Sequence, residues 1–432
     1  MRRWFLVPLL FLGLAACSQG TGGAFTQVSP PASAGPVPQP QLDLAALTVL
    51  RAHAASALLA HLPGGSEDLS WGPGAEPTTA GPYAAAPPEA DAASLQALQS
   101  LARVPVSGVA VPPPGSTATA TTDAFKQLEG ARGGAYLLLA DAAHPVGASA
   151  PSAVDPTPSA CPSPGPGPAR PECLRRQVSD GLLAAYFATD TRMFFKVGET
   201  TTVYRPIDAL AVGSALVVAG FQQHDENKIS AGGQVIQKEM QTDVDTHYGM
   251  LYGLVTATAQ GGHSVTDYGG HLADQAGAAE ALLEAFDASR EQAYMADARR
   301  LLQPLMDEAV ALRAPSGGYV AGFDLQSAGP ADNTRADVLA TILVLQASRH
   351  YDRDDGGHFV SLEQTAAATL LAALDSDRKA GGDTLSGIPA EGPAGGVAGR
   401  RSGLATALAV TVLGDVLRDL GAPPSPSPAA SQ

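Results

Sequence analysis

The sequence lacks the short motifs by which many enzyme classes are read. It has no G-x-S-x-G elbow, no Walker-type phosphate loop, no dinucleotide glycine fingerprint and no H-E-x-x-H helix. These absences count against nucleotide-dependent and metalloprotease chemistry. Basic residues are scarce: 26 Lys and Arg face 42 Asp and Glu, a formal net charge of −16. Phosphate binding needs clustered Lys and Arg, so nucleic acid is not an expected partner. Aromatic side chains are only 5% of the chain, which counts against a sugar cleft built on stacked rings. The three cysteines have no His cluster beside them and make a poor zinc site, so no metal or cofactor is expected. The apolar run Trp4–Leu14 is too short to cross a bilayer as a permanent helix.

What is present is helical periodicity. Leu272, Ala276, Ala279, Leu282, Leu283 and Phe286 fall on one arc of a helix. A second helix carries Tyr294, Ala298, Leu301, Leu302, Leu305, Ala309 and Leu312, Gly317-Gly318 breaks it, and Tyr319–Phe323 alternates like a short edge strand. Upstream, helices are expected at Leu42–Leu62, Ala92–Ala102 and, interrupted at Gly133-Gly134, within Thr122–Asp141. Another runs from Glu172 to Tyr186. Arg192–Val197 and Thr202–Arg205 flank Gly198 as a hairpin, residues 222–233 read as polar loop, and 241–259 as helix. The segments starting at Pro206, Val338 and Leu404 are apolar nearly all round, which marks helices buried on every side. Thr334 with Asp337, and Ser361 with Gln364, read as caps of the last two hairpin helices, and 376–401 as a Gly-rich loop.

Buried helices alternating with one-faced ones imply a double-layered helical barrel. The motifs Leu272–Ala276, Ala281–Ala285, Tyr294–Ala298 and Gly317-Gly318-Tyr319 resemble the (α/α) toroid carbohydrate enzymes, namely the six-hairpin glycosidases and N-acylglucosamine epimerase-like proteins. The resemblance is close over 266–325 and loose over 172–420. It implies an all-α, (α/α) toroid-like barrel of helical hairpins with a few short strands in loops. A second resemblance lies at the amino end. Arg2-Arg3, the apolar run and Leu14-Ala15-Ala16-Cys17 resemble a bacterial lipoprotein signal with its lipobox. That implies loss of residues 1–16, lipidation of Cys17, and a membrane-anchored protein facing the periplasm or exterior of a bacterial envelope. In an exported chain Cys161 and Cys173 are expected to pair, closing a short loop and stabilising by roughly 3 kcal/mol.

The expected organisation is a tether at 17–40, one domain at 41–421 with Pro-rich excursions at 63–90 and 144–171, and a tail at 422–432. The chain is expected to be monomeric, with a glycan as a candidate ligand.

The toroid resemblance places ligands at a mouth where loops meet inner-helix ends. Candidate acid/base carboxylates are Asp267, Asp324 and Asp332, because glycosidases need two carboxyls about 5–10 Å apart. Tyr268, His271, Gln275, Tyr319 and Asp337 are the candidate substrate-binding residues. Gln275 falls within an apolar arc, where its amide must find partners; a bond to a neighbouring helix or loop satisfies it as well as a sugar hydroxyl does. Asp337 and its neighbours read equally as helix caps. Asp243 and His247 share a face if their segment is helical, as an ion pair or half a metal site, but no third ligand sits at metal spacing. The alternative to glycan chemistry is a non-catalytic lipoprotein acting as a scaffold or docking factor, with a filled centre and dispersed, cap-forming acids.

Overall fold

The computed structural model describes residues 41–61, 90–106, 134–136, 138–139, 171–306, 312–315, 317–327, 329–330, 336–379, 388 and 402–421. The signal segment, tether and tail, with Cys17, Cys161 and Asp332, lie outside them. So do the two excursions, except for their last residues, where helices begin.

The helices are α1 (Leu44–His61), α2 (Ala90–Arg103), α3 (Pro171–Tyr186), α4 (Pro206–Gln223), α5 (Glu226–Thr242), α6 (Leu272–Ser289), α7 (Gln292–Leu302), α8 (Val338–Asp355), α9 (Val360–Lys379) and α10 (Gly403–Gly421). Residues 134–136 and 138–139 are also helical. An inner layer runs from α4 through α6, α8 and α10 to α2 by successive contacts, and Tyr136 reaches Gly277 of α6 from the segment at 134–136. The helices α1, α3, α5, α7 and α9 sit outside it. The apolar-all-round segments are the inner ones: almost every residue of α4 from Ile207 to Gly220 and of α10 from Gly403 to Gly414 is buried. A helix packed on several sides must be apolar on several sides.

Local chemistry sets the helix starts. Pro206 occupies the tolerated first position of α4, and the Asp208 carboxylate accepts from the Arg205 N–H at 3.2 Å. Asp225 caps α5, accepting from the amides of Asn227 (3.1 Å) and Lys228 (3.4 Å). Asp337 caps α8, accepting from the Ala340 N–H at 2.7 Å.

The strands are short: β1 (Phe187–Ala188), β2 (Met193–Phe194), β3 (Thr201–Tyr204), β4 (Leu254–Thr258), β5 (His263–Asp267), β6 (Gly269–His271), β7 (Gly322–Asp324) and β8 (Gly329–Pro330). They form antiparallel sheets β1-β2, β3-β4-β5 and β6-β7-β8. The last matters most for function, because β6 runs directly into α6. The Leu272 N–H donates to the Ala321 carbonyl (3.0 Å) and the Asp337 N–H to the Tyr319 carbonyl (2.7 Å), which fixes the starts of α6 and α8 at one end of the inner layer.

Several expectations are corrected. The 192–205 hairpin does not form: β2 pairs back to β1, while β3 pairs with β4, from Thr201–Thr258 to Tyr204–Val255. Tyr204 is thereby buried against the Phe194 ring, 4.9 Å between centroids, a contact no local turn provides. Residues 226–233, expected as loop, belong to helix α5, which runs on to Thr242, and the expected helix over 241–259 gives way to β4. There Val255 and Ala257 alternate inward, the period of a strand. The second helix of the central hairpin stops at Leu302, and Gln303–Leu305 is a 3₁₀ turn at Pro304. Ser361 and Gln364 lie inside α9. Its start is set by Asp352, whose carboxylate accepts from the Phe359 N–H at 2.8 and 2.9 Å. That helix runs to Lys379, into the stretch expected as loop.

Helices α4 and α5 approach each other closely at two glycines. A Cβ on Gly232 would lie 2.4 Å from the Gly213 carbonyl oxygen and 2.9 Å from Val217 Cγ2. Gly232→Ala is therefore expected to destabilise by about 2 kcal/mol in urea unfolding. Gly181→Ala on α3, where a Cβ meets nothing within 4 Å, should be neutral or stabilising. Equal effects at the two positions would refute the close-contact account.

Candidate functional site

The inner helices enclose a cavity of about 320 Å³. Arg205, His271 and Asp337 line it from the residues that open α4, α6 and α8, and Leu404 lines it from the first turn of α10. These helices therefore point their amino ends at one mouth, where helix dipoles favour negative charge. The Arg205 guanidinium pairs with the Asp274 carboxylate across the wall. His271, at the start of α6, is exposed at the rim. Leu339, Leu343, Leu408 and Ala281 supply apolar wall, and Tyr136 an aromatic ring.

Below the mouth the cavity adjoins a smaller chamber of about 100 Å³, with Gln96, Glu280, Glu284 and Gln346 lining both. The His350 ring is clamped there, Nδ1 3.0 Å from Glu280 Oε1 and Nε2 3.2 Å from Asp287 Oδ2. Arg353 holds Asp287 at 2.7 Å. Burial would lower His350, but Glu280, Asp287 and Glu284 around it outweigh that and raise it to about 10. Burial, reinforced by the Glu280 and Asp287 charges, pushes Glu284 up to about 8.

The expected site residues divide. His271 and Asp337 do line the cavity. Asp267 and Asp324 are not among its lining residues and serve turns instead. Asp267 Oδ1 accepts from the Gly269 N–H (2.8 Å), and Asp324 from the Gln326 N–H (2.9 Å) and the Ser327 hydroxyl (2.7 Å). The Ser327 hydroxyl and the Gln326 amide together lower the Asp324 carboxyl below its ordinary range. Tyr268 is 40% exposed and meets Tyr252 edge-on at 5.6 Å, outside the cavity lining. Gln275 is wholly buried and does not present its amide to a ligand. Its oxygen accepts from the Leu251 N–H (2.8 Å), and its nitrogen donates to the carbonyls of Gly249 and Leu301 (2.9 Å each). Tyr319 is also wholly buried, with Arg313 4.6 Å above its ring, and burial pushes its phenol up to about 12. It packs the core rather than the mouth.

Asp243 does not pair with His247. It is fully buried at the end of α5, where it accepts from the Tyr204 hydroxyl (3.1 Å) and the Thr242 hydroxyl (2.8 Å) and pairs with His263. His247 instead packs edge-on against Tyr248, 4.4 Å between ring centroids.

The residues that sequence reasoning passed over are Arg205, Asp274, Glu280, Glu284 and His350. One signal was available. Asp274, Gly277, Glu280, Ala281 and Glu284 repeat at three- and four-residue spacing on α6, opposite its apolar arc. In a ring of helices that stripe faces the lumen.

No protein-family model matches the sequence, and no curated protein matches it either. Solved structures do share its shape. An unsaturated glucuronyl hydrolase specific for heparin aligns at a TM-score of 0.59 and 10% identity, over 88% of this chain and 98% of that one. A GH76 α-1,6-mannanase from Salegentibacter sp. aligns at 0.54 and 10% identity, over 87% and 99%. A cellobiose 2-epimerase from Bacillus thermoamylovorans aligns at 0.53 and 10% identity, over 86% and 99%. The chain thus has the (α/α) toroid fold found in these carbohydrate enzymes.

Proposed function

We propose that this protein binds and processes a glycan in the central cavity, by general acid–base chemistry at the mouth. The observation that carries this is the cavity itself, a ligand-sized space where His271, Asp274, Asp337 and Arg205 meet at the amino ends of inner helices. Arg205 and Asp274, held by each other, orient a sugar through hydroxyls. Asp337 and His271 are the groups placed to move protons at the bound ring. The shared fold supports a carbohydrate ligand by analogy. A central cavity open at one mouth favours this reading over a scaffold with a filled centre.

The test is a binding and turnover screen with unsaturated glucuronyl oligosaccharides, α-1,6-mannan and cellobiose. Asp337→Asn keeps a good helix cap but loses the proton site. It is expected to lower turnover by about 100-fold or more with little change in binding. His271→Gln should behave similarly. No binding across the panel, or activity indifferent to both substitutions, would sink the assignment.

The cellular address is part of the same proposal: Cys17 carries the lipid and holds the domain at the bacterial envelope. Cys17→Ser is expected to move the protein from the membrane to the soluble fraction. An unchanged membrane fraction would overturn the anchor.

A further inference from the structure

We propose that the chamber beneath the sugar cavity is a binding site for one first-row divalent cation, held by Glu280 and Glu284 of α6 and His350 of α8. One ligand atom from each lies within 4.8 Å of the other two. Around a cation with bonds near 2.1 Å, neighbouring ligands stand about 3 Å apart and opposite ones about 4.2 Å. Side-chain rotations that draw these atoms together by up to about 1.8 Å would close the set. Glu280 and Glu284 are one helical turn apart, which puts both carboxylates on the same face.

Two further observations point to a ligand there. Thr411, on α10, is 1% exposed and lines the same chamber, yet its hydroxyl oxygen has no hydrogen-bond partner. Glu280 Oε2 and Gln346 Oε1 are likewise buried without one. Three unpartnered oxygens around one small space are costly in a folded protein unless something binds them. The second observation is how His350 is held. Its Nε2 rests against Asp287, which Arg353 fixes in turn, while Nδ1 faces Glu280. A carboxylate that accepts from one ring nitrogen and aims the other is the usual support of a metal-binding histidine.

Of the arginines that line the chamber, Arg353 pairs with Asp287 and Asp354, and Arg349 stands 3.7 Å from both Glu363 and Asp419. One imidazole among oxygen donors suits Mn²⁺ or Zn²⁺ better than Ca²⁺. The site stands whether or not the upper cavity takes a sugar.

Mn²⁺ titrated into the chelator-treated full chain, followed by electron paramagnetic resonance, tests the proposal. One equivalent should bind, and the bound ion should show coupling to an imidazole nitrogen, a readout that needs no variant. Glu284→Gln and His350→Gln should each weaken binding at least tenfold at unchanged helical circular dichroism. Asp324→Asn, in a surface turn, should leave it unchanged. If no stoichiometric ion binds, or if binding ignores both substitutions and shows no nitrogen coupling, His350 is only an imidazolium bridging Glu280 and Asp287, and the proposal falls.

Discussion

Arg51→Met is expected to lower the stability of the domain by about 4 kcal/mol, read as a large fall in the urea midpoint. Arg51 is 2% exposed, and among the described residues its guanidinium bonds neutral oxygens. Nε donates to the Val410 carbonyl on α10 (2.9 Å), Nη1 to the Val104 carbonyl beyond α2 (2.7 Å), and Nη2 to the carbonyl and hydroxyl of Ser100 (3.3 and 3.2 Å). One side chain of α1 thus fastens α2 to α10, where the start of the ring meets its end. Burial lowers the Arg51 pKa, with Asp415 opposing, yet guanidinium stays charged at any ordinary pH. Methionine fills part of the volume but leaves buried carbonyls without donors. Arg51→Lys should recover little, because an ammonium with three donors cannot reach four acceptors spread around a planar fork. A loss under about 1 kcal/mol for the methionine variant would show that the ring closes without this clasp.

The second large effect is pH-dependent. Glu363 on α9 is wholly buried beside Asp352, with Arg349 Nη1 at 3.7 Å. Burial, only partly opposed by Arg349 and reinforced by the neighbouring Asp352 carboxylate, pushes Glu363 up to about 8. Its folded pKa is therefore raised above the unfolded one. The folded state holds the extra proton, and the stability it brings is fully present below the ordinary carboxylate pKa, then lost as pH rises through about 8. Wild type should accordingly lose about 3 kcal/mol between pH 5 and pH 8.5 through this group. Glu363→Gln keeps the size and polarity of the side chain and carries no charge at any pH. Its stability should match wild type near pH 5 and exceed it at pH 8.5. Parallel stability curves for the two proteins would refute the assignment.

Much of the architecture is legible in local pattern. The arc from Leu272 to Phe286 is buried as its spacing implies, and the segments starting at Pro206, Val338 and Leu404 are inner helices. His271 and Asp337 were identifiable because each stands just before an apolar helical run, and the mouth lies where those runs begin. The misreadings have local causes too. Residues 226–233 are polar enough to pass for loop, yet Asp225 caps the helix they open and Gly232 docks it on α4. Asp267 and Asp324 carry the side chain that acid chemistry needs, but it is the same side chain that stabilises a turn.

The sequence by itself determined the helical periods, most inner-helix starts and the polar stripe of α6, because each depends on residues within a few turns of one another. Only the tertiary structure decided which side of that stripe is lumen and which acids meet. Glu280 and His350 are 70 residues apart and become neighbours only when the ring closes. A helical wheel separates polar from apolar faces, but it carries no information on whether the polar face looks at water or at another helix.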